Sequence, residues 1–455
     1  MEEWGIILDF MLIGVLMFVA KVIKTKVPFF NKIVIPTSLL GGIIGLTLSL
    51  IFAPIVIGEE TFIDVDQMGY IVYHALAIGF ISLALKREPS RIKKKIWSTG
   101  MLITSTYALQ AVVGILIFLL LFAPDNFIGS GMLVALGFGQ GPGLAMSIGR
   151  MWNDMLGGNG VVLGASYSLI GFFFGGTVGV LLINIMTRRS GRLRPKGYEE
   201  NSAGKVTLEI DTIKEISLLD GLTTQGIIIS IIYSIVYLVL YLSYITFGQS
   251  GIGETVYGLM KGFNFIIGIL IALAYKKGLR WIEKKGGNVR FMTNNYILSN
   301  IASASFNVMI AGAALSITLT FLSEYGVQLI LTSVITGFVT LFYLKFMTKR
   351  IYQDFIEEYF IGFFGMLTGV ASTGLALLKG VDPNLETPVA EEMVLGSGTA
   401  ISMALPLFGI LFIPSLTYGG PNQMLWNILS LVGCALYVIT FMTILLIRGK
   451  RGVNG

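Results

Sequence analysis

Two stretches set polar side chains and breakable backbone among apolar residues: GFGQGPGLAMSIGR, beginning at Gly137, and MLTGVASTGLALLKG, residues 366–380. The first offers Gly139, Gln140, Gly141, Pro142, Gly143 and Ser147; the second offers Thr368, Gly369, Ser372, Thr373 and Gly374. A helix interrupted at such a tip frees N–H and C=O groups. Freed amides and the positive ends of half-helices suit an anion, and freed carbonyls suit Na⁺. Glycine supplies positive φ and close approach, while Pro142 removes a donor and fixes the turn. The plainer reading is that both stretches are interfacial segments or packing surfaces, because small residues are common wherever membrane helices approach closely.

A third polar set lies in NNYILSNIASASFNVMIAG, where Asn300, Ser303 and Asn307 fall at i, i+3 and i+7 and so share one helix face. That face is expected to look into a bundle, as ion or substrate ligands or as hydrogen-bond glue. Arg150 and Lys379 each end one of the glycine-rich stretches. They are placed to partner substrate carboxylates or to act as snorkelling anchors. Asp9 either binds a cation or reaches water, and His74, the single histidine, is expected in a hydrogen-bonded role, with proton relay as the alternative. Asn184 reads as glue between helices.

The elements that must position these residues are membrane helices. Of 455 residues, 54% are hydrophobic and 13% charged, against roughly a quarter charged in a water-soluble globule. Long apolar runs, rather than alternating stretches of about 10 residues, exclude an outer-membrane barrel. Spans are expected near 4–23, 33–55, 67–85, 99–123, 159–187, 222–246, 255–275, 294–322, 327–346, 393–413 and 424–447, about 11 in all. The opening MEEWGIILDF lacks the basic start of a secretory signal, so it is expected to stay as the first helix. With Cys434 as the only cysteine, no disulfide can form within the chain. The net charge of +6 arises in loops, where it orients spans and does not point to nucleic acid.

Basic clusters at Lys21 to Lys32, 86–95, 188–196, 276–290, 345–350 and 448–451 belong in the cytoplasm by the positive-inside rule. An outside N-terminus and an inside C-terminus satisfy this only if two segments, near 130–152 and 360–380, turn back as re-entrant hairpins from opposite faces. The acidic loop 382–392 then lies inside, which is acceptable because carboxylates contribute little to orientation. The chain also repeats: Gly143-Leu144-Ala145 matches Gly374-Leu375-Ala376, and Val161 to Gly164 matches Met393 to Gly396, at offsets of 231 and 232 residues. The expected fold class is therefore an all-α polytopic membrane protein of two inverted-topology repeats, each with a re-entrant hairpin. The repeats span 1–187 and 221–413, a cytoplasmic linker covers 188–220, and 414–455 adds a C-terminal transmembrane helix and a cytoplasmic tail. Inverted repeats with interrupted segments in matching positions point to a secondary transporter site near the bilayer midplane.

No enzyme constellation competes. The chain has no GxxxxGK[ST] loop, HExxH, GxSxG or paired cysteines, so neither ATP drive nor catalysis is expected. IPTSLLGGIIG (35–45), the two glycine-rich stretches and GMLTGVASTGLALLKGVDPN together resemble the bacterial glutamate:sodium symporter family, over nearly the whole chain. There are departures. Gln140 stands where the family's GGHGTAAAW-like string has histidine, and ASTG (371–374) replaces its TPTA-like string. The resemblance implies Na⁺-coupled symport of L-glutamate by alternating access across a bacterial cytoplasmic membrane. It also implies a homodimer, no cofactor, and no metal beyond transported Na⁺. A carrier of another carboxylate or amino acid, coupled to Na⁺ or H⁺, is the alternative, and a channel the next. An inside-negative potential opposes a monoanion by about 2.3 kcal/mol per 100 mV; one Na⁺ cancels that charge, and a second adds drive.

Overall fold

The computed structural model describes residues 5–27, 37–58, 61–87, 96–124, 126–189, 221–249, 251–262, 264–287, 289, 292–382 and 387–453. The expected linker lies outside these beyond its first two positions, as do the basic stretches at 28–32 and 88–95. Among the described residues the chain is helical and contains no strand. The helices are α1 (Gly5–Lys26), α2 (Thr37–Val56), α3 (Val65–Leu85), α4 (Ile96–Leu121), α5 (Leu133–Gly139), α6 (Pro142–Met151), α7 (Gly160–Arg189) and α8 (Gly221–Phe247). They continue as α9 (Gly251–Gly262), α10 (Asn264–Lys284), α11 (Asn295–Leu315), α12 (Leu319–Ile351), α13 (Ile356–Thr368), α14 (Ala371–Leu378), α15 (Val389–Leu416) and α16 (Gln423–Val453). Ten described helices are long and apolar enough to cross a membrane, eleven if α9 and α10 form one span. In hydrocarbon a helix closes its backbone hydrogen bonds within itself, which is why uninterrupted apolar runs take this form.

The expected span at 255–275 is apolar enough to cross as one, but it is broken into two helices. The chain bends by 70° between α9 and α10, and α10 then continues through the basic residues to Lys284. Gly258 and Gly262 weaken the helix there, and Glu254 and Lys261 place a charge in the first and the last turn of α9. The chain divides into two compact units that cut across the sequence halves. One comprises Met1–Val15, Ile63–Arg91 and Asn201–Gly312; the other comprises Leu16–Phe62, Ile92–Glu200 and Ala313–Gly455.

In the first unit, Ile81 and Leu85 of α3, Ile228, Ile229 and Ile232 of α8, Ala272 of α10 and Leu298 of α11 make a dry core. The C-terminal end of α3 is closed by cationic and amide donors. Lys276 Nζ donates to the Lys86 carbonyl at 2.9 Å, and Asn295 Nδ2 donates to the Arg87 carbonyl at 3.1 Å. Positive charge is favourable at that end of a helix.

In the second unit, α4 is the axis of packing. Thr99 bonds Tyr352, Ser105 bonds Tyr343 and Gln110 bonds Thr340, so α4 and α12 run antiparallel. Against α15 it runs parallel, with Gly396 packed on Thr99 and the Ala400 carbonyl accepting from Thr104 Oγ1. Helix α7 presents Gly164, Gly171, Gly175 and Gly179 on one face. The Ala145 carbonyl lies at Gly164, Thr368 at Gly171 and Gly175, and Leu377 at Gly179. Small residues thus let both glycine-rich segments approach one helix.

That packing can be tested at a single atom. A Cβ at Gly149 would stand 2.0 Å from the Gly160 carbonyl oxygen, whereas one at Gly409 meets nothing within 4 Å. Gly149→Ala is expected to cost about 1–3 kcal/mol through overpacking. Gly409→Ala should stay within about 0.5 kcal/mol. Thermal unfolding of the two purified variants in detergent reads the difference, and equal melting temperatures would refute the close approach of α6 and α7.

Candidate functional site

Both glycine-rich stretches fold as two short helices with a break between them. In the first, α5 ends at Gly139, Gln140 caps it, and Gly141 takes φ 85°, a backbone region that an L side chain resists. Pro142 then opens α6, where its missing N–H costs nothing. Gly139, Gly141, Pro142, Gly143 and Ser147 are buried and Gln140 is half-buried. In the second, α13 ends at Thr368, Gly369 and Val370 form the break, and α14 folds back so that Gly374 packs on the Gly362 carbonyl and beside Gly365. Thr368, Gly369, Thr373 and Gly374 are buried; the side chain of Ser372 lies outside the described residues.

The two breaks meet. A Cβ at Gly141 would stand 2.8 Å from Val370 Cγ1. Gln110 of α4 joins them, for its Nε2 donates to the Leu367 carbonyl at 2.8 Å and to Thr340 Oγ1 at 3.1 Å. Its Oε1 lies 3.0 Å from where a Cβ on Gly139 would be, and has no hydrogen-bond partner. The amide orientation follows from chemistry: a backbone carbonyl only accepts, so the nitrogen must face Leu367 and the oxygen must face the first break. Tyr107, almost one turn before Gln110, packs its ring on Gly139.

A row of hydroxyls continues from this point along α12. Thr332, Ser333, Thr336 and Thr340 are fully buried, and the hydroxyls of Thr332, Ser333 and Thr336 have no hydrogen-bond partner. The Tyr167 hydroxyl of α7 faces Thr332 without closing a bond of ordinary geometry. Thr373 Oγ1 and Ser166 Oγ are likewise buried and unpartnered. Each such group forfeits water at a cost of about 1–3 kcal/mol, so a concentration of them marks a place that something polar can complete. The backbone adds to this, because α5 and α13 bring carbonyl ends to the breaks while α6 and α14 begin there with amide ends.

The remaining expected residues lie apart from the breaks. Arg150 and Lys379 are each nine residues beyond Gly141 and Val370, about 13 Å along a helix. Both are half-exposed. The Asn300 face belongs to the first unit, and its expected inward aspect is corrected: Asn300 and Ser303 are exposed and Asn307 is half-exposed. Helix α11 instead buries Leu298, Ala302, Met309 and Ala313, its apolar side. Asp9 is buried at 8% exposure, with Oδ2 unpartnered. His74 is exposed yet hydrogen bonded through Nδ1 to Tyr233 at 2.6 Å, and Asn264 Nδ2 reaches the same hydroxyl at 3.3 Å. Asn184 is half-buried.

Sequence reasoning missed Gln110, Tyr107, Tyr167 and the α12 hydroxyls. The signal was present in Thr332, Thr336 and Thr340, spaced by four residues along one face of an apolar helix. Compared with family models, with curated proteins and with solved structures, the chain gives no match.

Gln110→Leu keeps the volume but strips the Leu367 carbonyl of its donor. The expected loss is about 1–3 kcal/mol, the cost of a buried acceptor left bare. Thermal unfolding beside that of Gln225→Leu on α8 reads it; an unchanged melting temperature for Gln110→Leu would mean that the amide does not pin the second break.

Proposed function

We propose that this chain is a secondary active transporter that works by alternating access and carries a small monoanionic solute, L-glutamate in the first instance, together with Na⁺. The observation that carries the reading is the meeting of two broken helical segments in a buried, uncharged, polar centre. Non-helical backbone survives at membrane depth only inside protein or around a water-filled cavity, and carriers use such breaks as solute sites. Amide ends of α6 and α14 offer the carboxylate its donors, and carbonyl ends of α5 and α13 offer the cation its acceptors.

The repeat supports the same reading. A shift of 231 residues, which carries Gly143 onto Gly374, carries Gln110 onto the residue after Thr340 and Gly139 onto Val370. Helices α4 and α12 thus occupy matching places in the two copies, and they run antiparallel, as inversion requires. Two re-entrant hairpins entering from opposite faces follow, with the N-terminus outside and the C-terminus inside a bacterial cytoplasmic membrane. A homodimer belongs to the same proposal. A channel is disfavoured because the centre is closed by packing on Val370, Tyr107 and Gln110.

Uptake of labelled L-glutamate into proteoliposomes under an inward Na⁺ gradient is expected to be concentrative and to vanish when K⁺ replaces Na⁺. Gln140→Ala and Ser372→Ala should each lower it roughly tenfold or more, the scale of one lost interaction of about 1.4 kcal/mol. Equilibration without accumulation would support a channel instead. No glutamate uptake by folded protein, with uptake of another carboxylate or amino acid, would replace the cargo and keep the carrier.

A further inference from the structure

In the first unit the bend between α9 and α10 is held from α3, by two neighbouring residues. Tyr73 Oη donates to the Lys261 carbonyl, in the last turn of α9, at 2.8 Å. His74 meets the Tyr233 hydroxyl of α8 through Nδ1 at 2.6 Å, and Asn264 Nδ2, on the first residue of α10, donates to that hydroxyl at 3.3 Å. One side of the 70° bend is thus tied to Tyr73 and the other to His74.

Proton counting fixes the direction of the second tie. An amide nitrogen only donates, and a phenol hydroxyl carries one proton. With Asn264 Nδ2 giving to the Tyr233 oxygen, the phenol proton goes to His74 Nδ1, which accepts only in a neutral ring protonated at Nε2. An imidazolium has no acceptor. Its Nδ1–H gives to the Tyr233 oxygen instead, and the phenol proton turns toward Asn264, whose amide nitrogen cannot take it. The acceptor on that side is Asn264 Oδ1, which is buried and has no hydrogen-bond partner until the carboxamide rotates by half a turn.

We propose that His74 is a proton-sensitive latch on the α9–α10 bend. Neutral, it is the acceptor at the end of the chain that runs from Asn264 through Tyr233; protonated, it reverses that chain, takes the Asn264 amide off its present bond and loosens the first turn of α10. His74 is exposed, and an ionisable side chain within a span faces water or a cavity rather than lipid, so the ring is open to protonation. Asn264 is only 1% exposed, so water does not compensate the change at its end of the chain. Around the ring, Tyr73 and Tyr233 meet it edge-on at 5.1 and 5.9 Å between centroids. Helix α8, and α11, which packs on Gly79 of α3 through Phe306, carry no Asp, Glu, Lys or Arg. Helix α10 carries none before Lys276, twelve residues or about 18 Å beyond Asn264. Helix α9 brings Glu254 and Lys261, and α3 itself brings Asp66 in its first turn. From α1, which packs on Gln67 through Gly5, comes Asp9, within reach of the charge on Asp64.

Because His74 is the single histidine, nitrogen-labelled histidine gives one imidazole signal by magnetic resonance in the purified full chain in lipid nanodiscs. At about pH 8 the ring is expected to be neutral with its proton on Nε2, and a proton on Nδ1 would overturn the direction of the chain. Amide hydrogen exchange of the α9–α10 bend, read by mass spectrometry and corrected for the intrinsic effect of pH, is the second measurement. Lowering the pH through the histidine range, about 6.5, is expected to raise that exchange roughly three- to tenfold, the scale of one neutral hydrogen bond. Tyr233→Phe cuts the chain and should exchange fast at either pH. His74→Gln offers an acceptor but takes no proton, so it should stay protected at both. A pH response that survives His74→Gln would belong to Asp9 or another carboxylate and would overturn the latch. So would a ring that stays neutral throughout, or an imidazolium that forms with no change at the bend. The latch goes beyond the carrier reading and does not depend on it, since no transport is measured.

Discussion

A peptide carbonyl or amide left bare in an apolar interior costs several kcal/mol, and among the described residues of the second unit two buried helical segments break, between Gly139 and Pro142 and between Thr368 and Ala371. Much of the second unit can be understood as the enclosure that makes those two breaks tolerable. Helix α7 gives up side chains along one face so that Thr368 and Leu377 of one segment and Ala145 of the other can lie directly against it. Helix α4 contributes a single amide that donates to the Leu367 carbonyl and holds α12 at the same time. The burial is complete: every described residue of α5 is buried, as are Pro142 to Gly149 and Glu358 to Thr368.

The walls of the two breaks are polar without being charged, the buried carboxylates Glu358 and Glu392 lying in the first turns of α13 and α15, and that combination decides what chemistry the breaks can do. Ionised side chains inside a membrane protein need partners or water, so evolution pays for them only where they act. Here the work is left to hydroxyls, one carboxamide and helix ends. The first unit handles polarity differently. It uses Lys276 and Asn295 to close the end of α3, and joins His74, Tyr233 and Asn264 through one phenol hydroxyl.

What could be read from the sequence was what depends on local order. Spans were legible because length and apolarity suffice to specify them, and 67–85 in the reading agrees with the span Gln67–Leu85. The two breaks were legible because Gly139, Gly141 and Pro142, or Gly369 and Gly374, cannot sit comfortably in a continuous helix. The bend before Asn264 was not, since Gly258 and Gly262 look like the packing glycines found throughout the chain. Gln110 escaped notice because one amide in an apolar run fits equally a ligand and a strut, and only its non-local partners, Leu367 and Thr340, tell which. The Asn300 face was misjudged for a related reason. Periodicity locates a polar stripe on a helix but does not say which side the neighbours cover, and the side of α11 bearing Leu298, Ala302 and Met309 proved to be the covered one.

The uncharged lining has an electrical consequence. If the stretches around the breaks are the part that moves solute across the bilayer, they bring no fixed charge of their own through the field, so the membrane potential acts only on what is bound. One cation with one monoanion then crosses as a neutral pair and senses no voltage. Each additional cation imports a whole charge, assisted by about 2.3 kcal/mol per 100 mV. On the proposed carrier reading, and if Arg150, Glu357, Glu358 and Lys379 stay outside the field, the return of the empty protein is electrically silent and the current directly counts the ions carried in excess of solute.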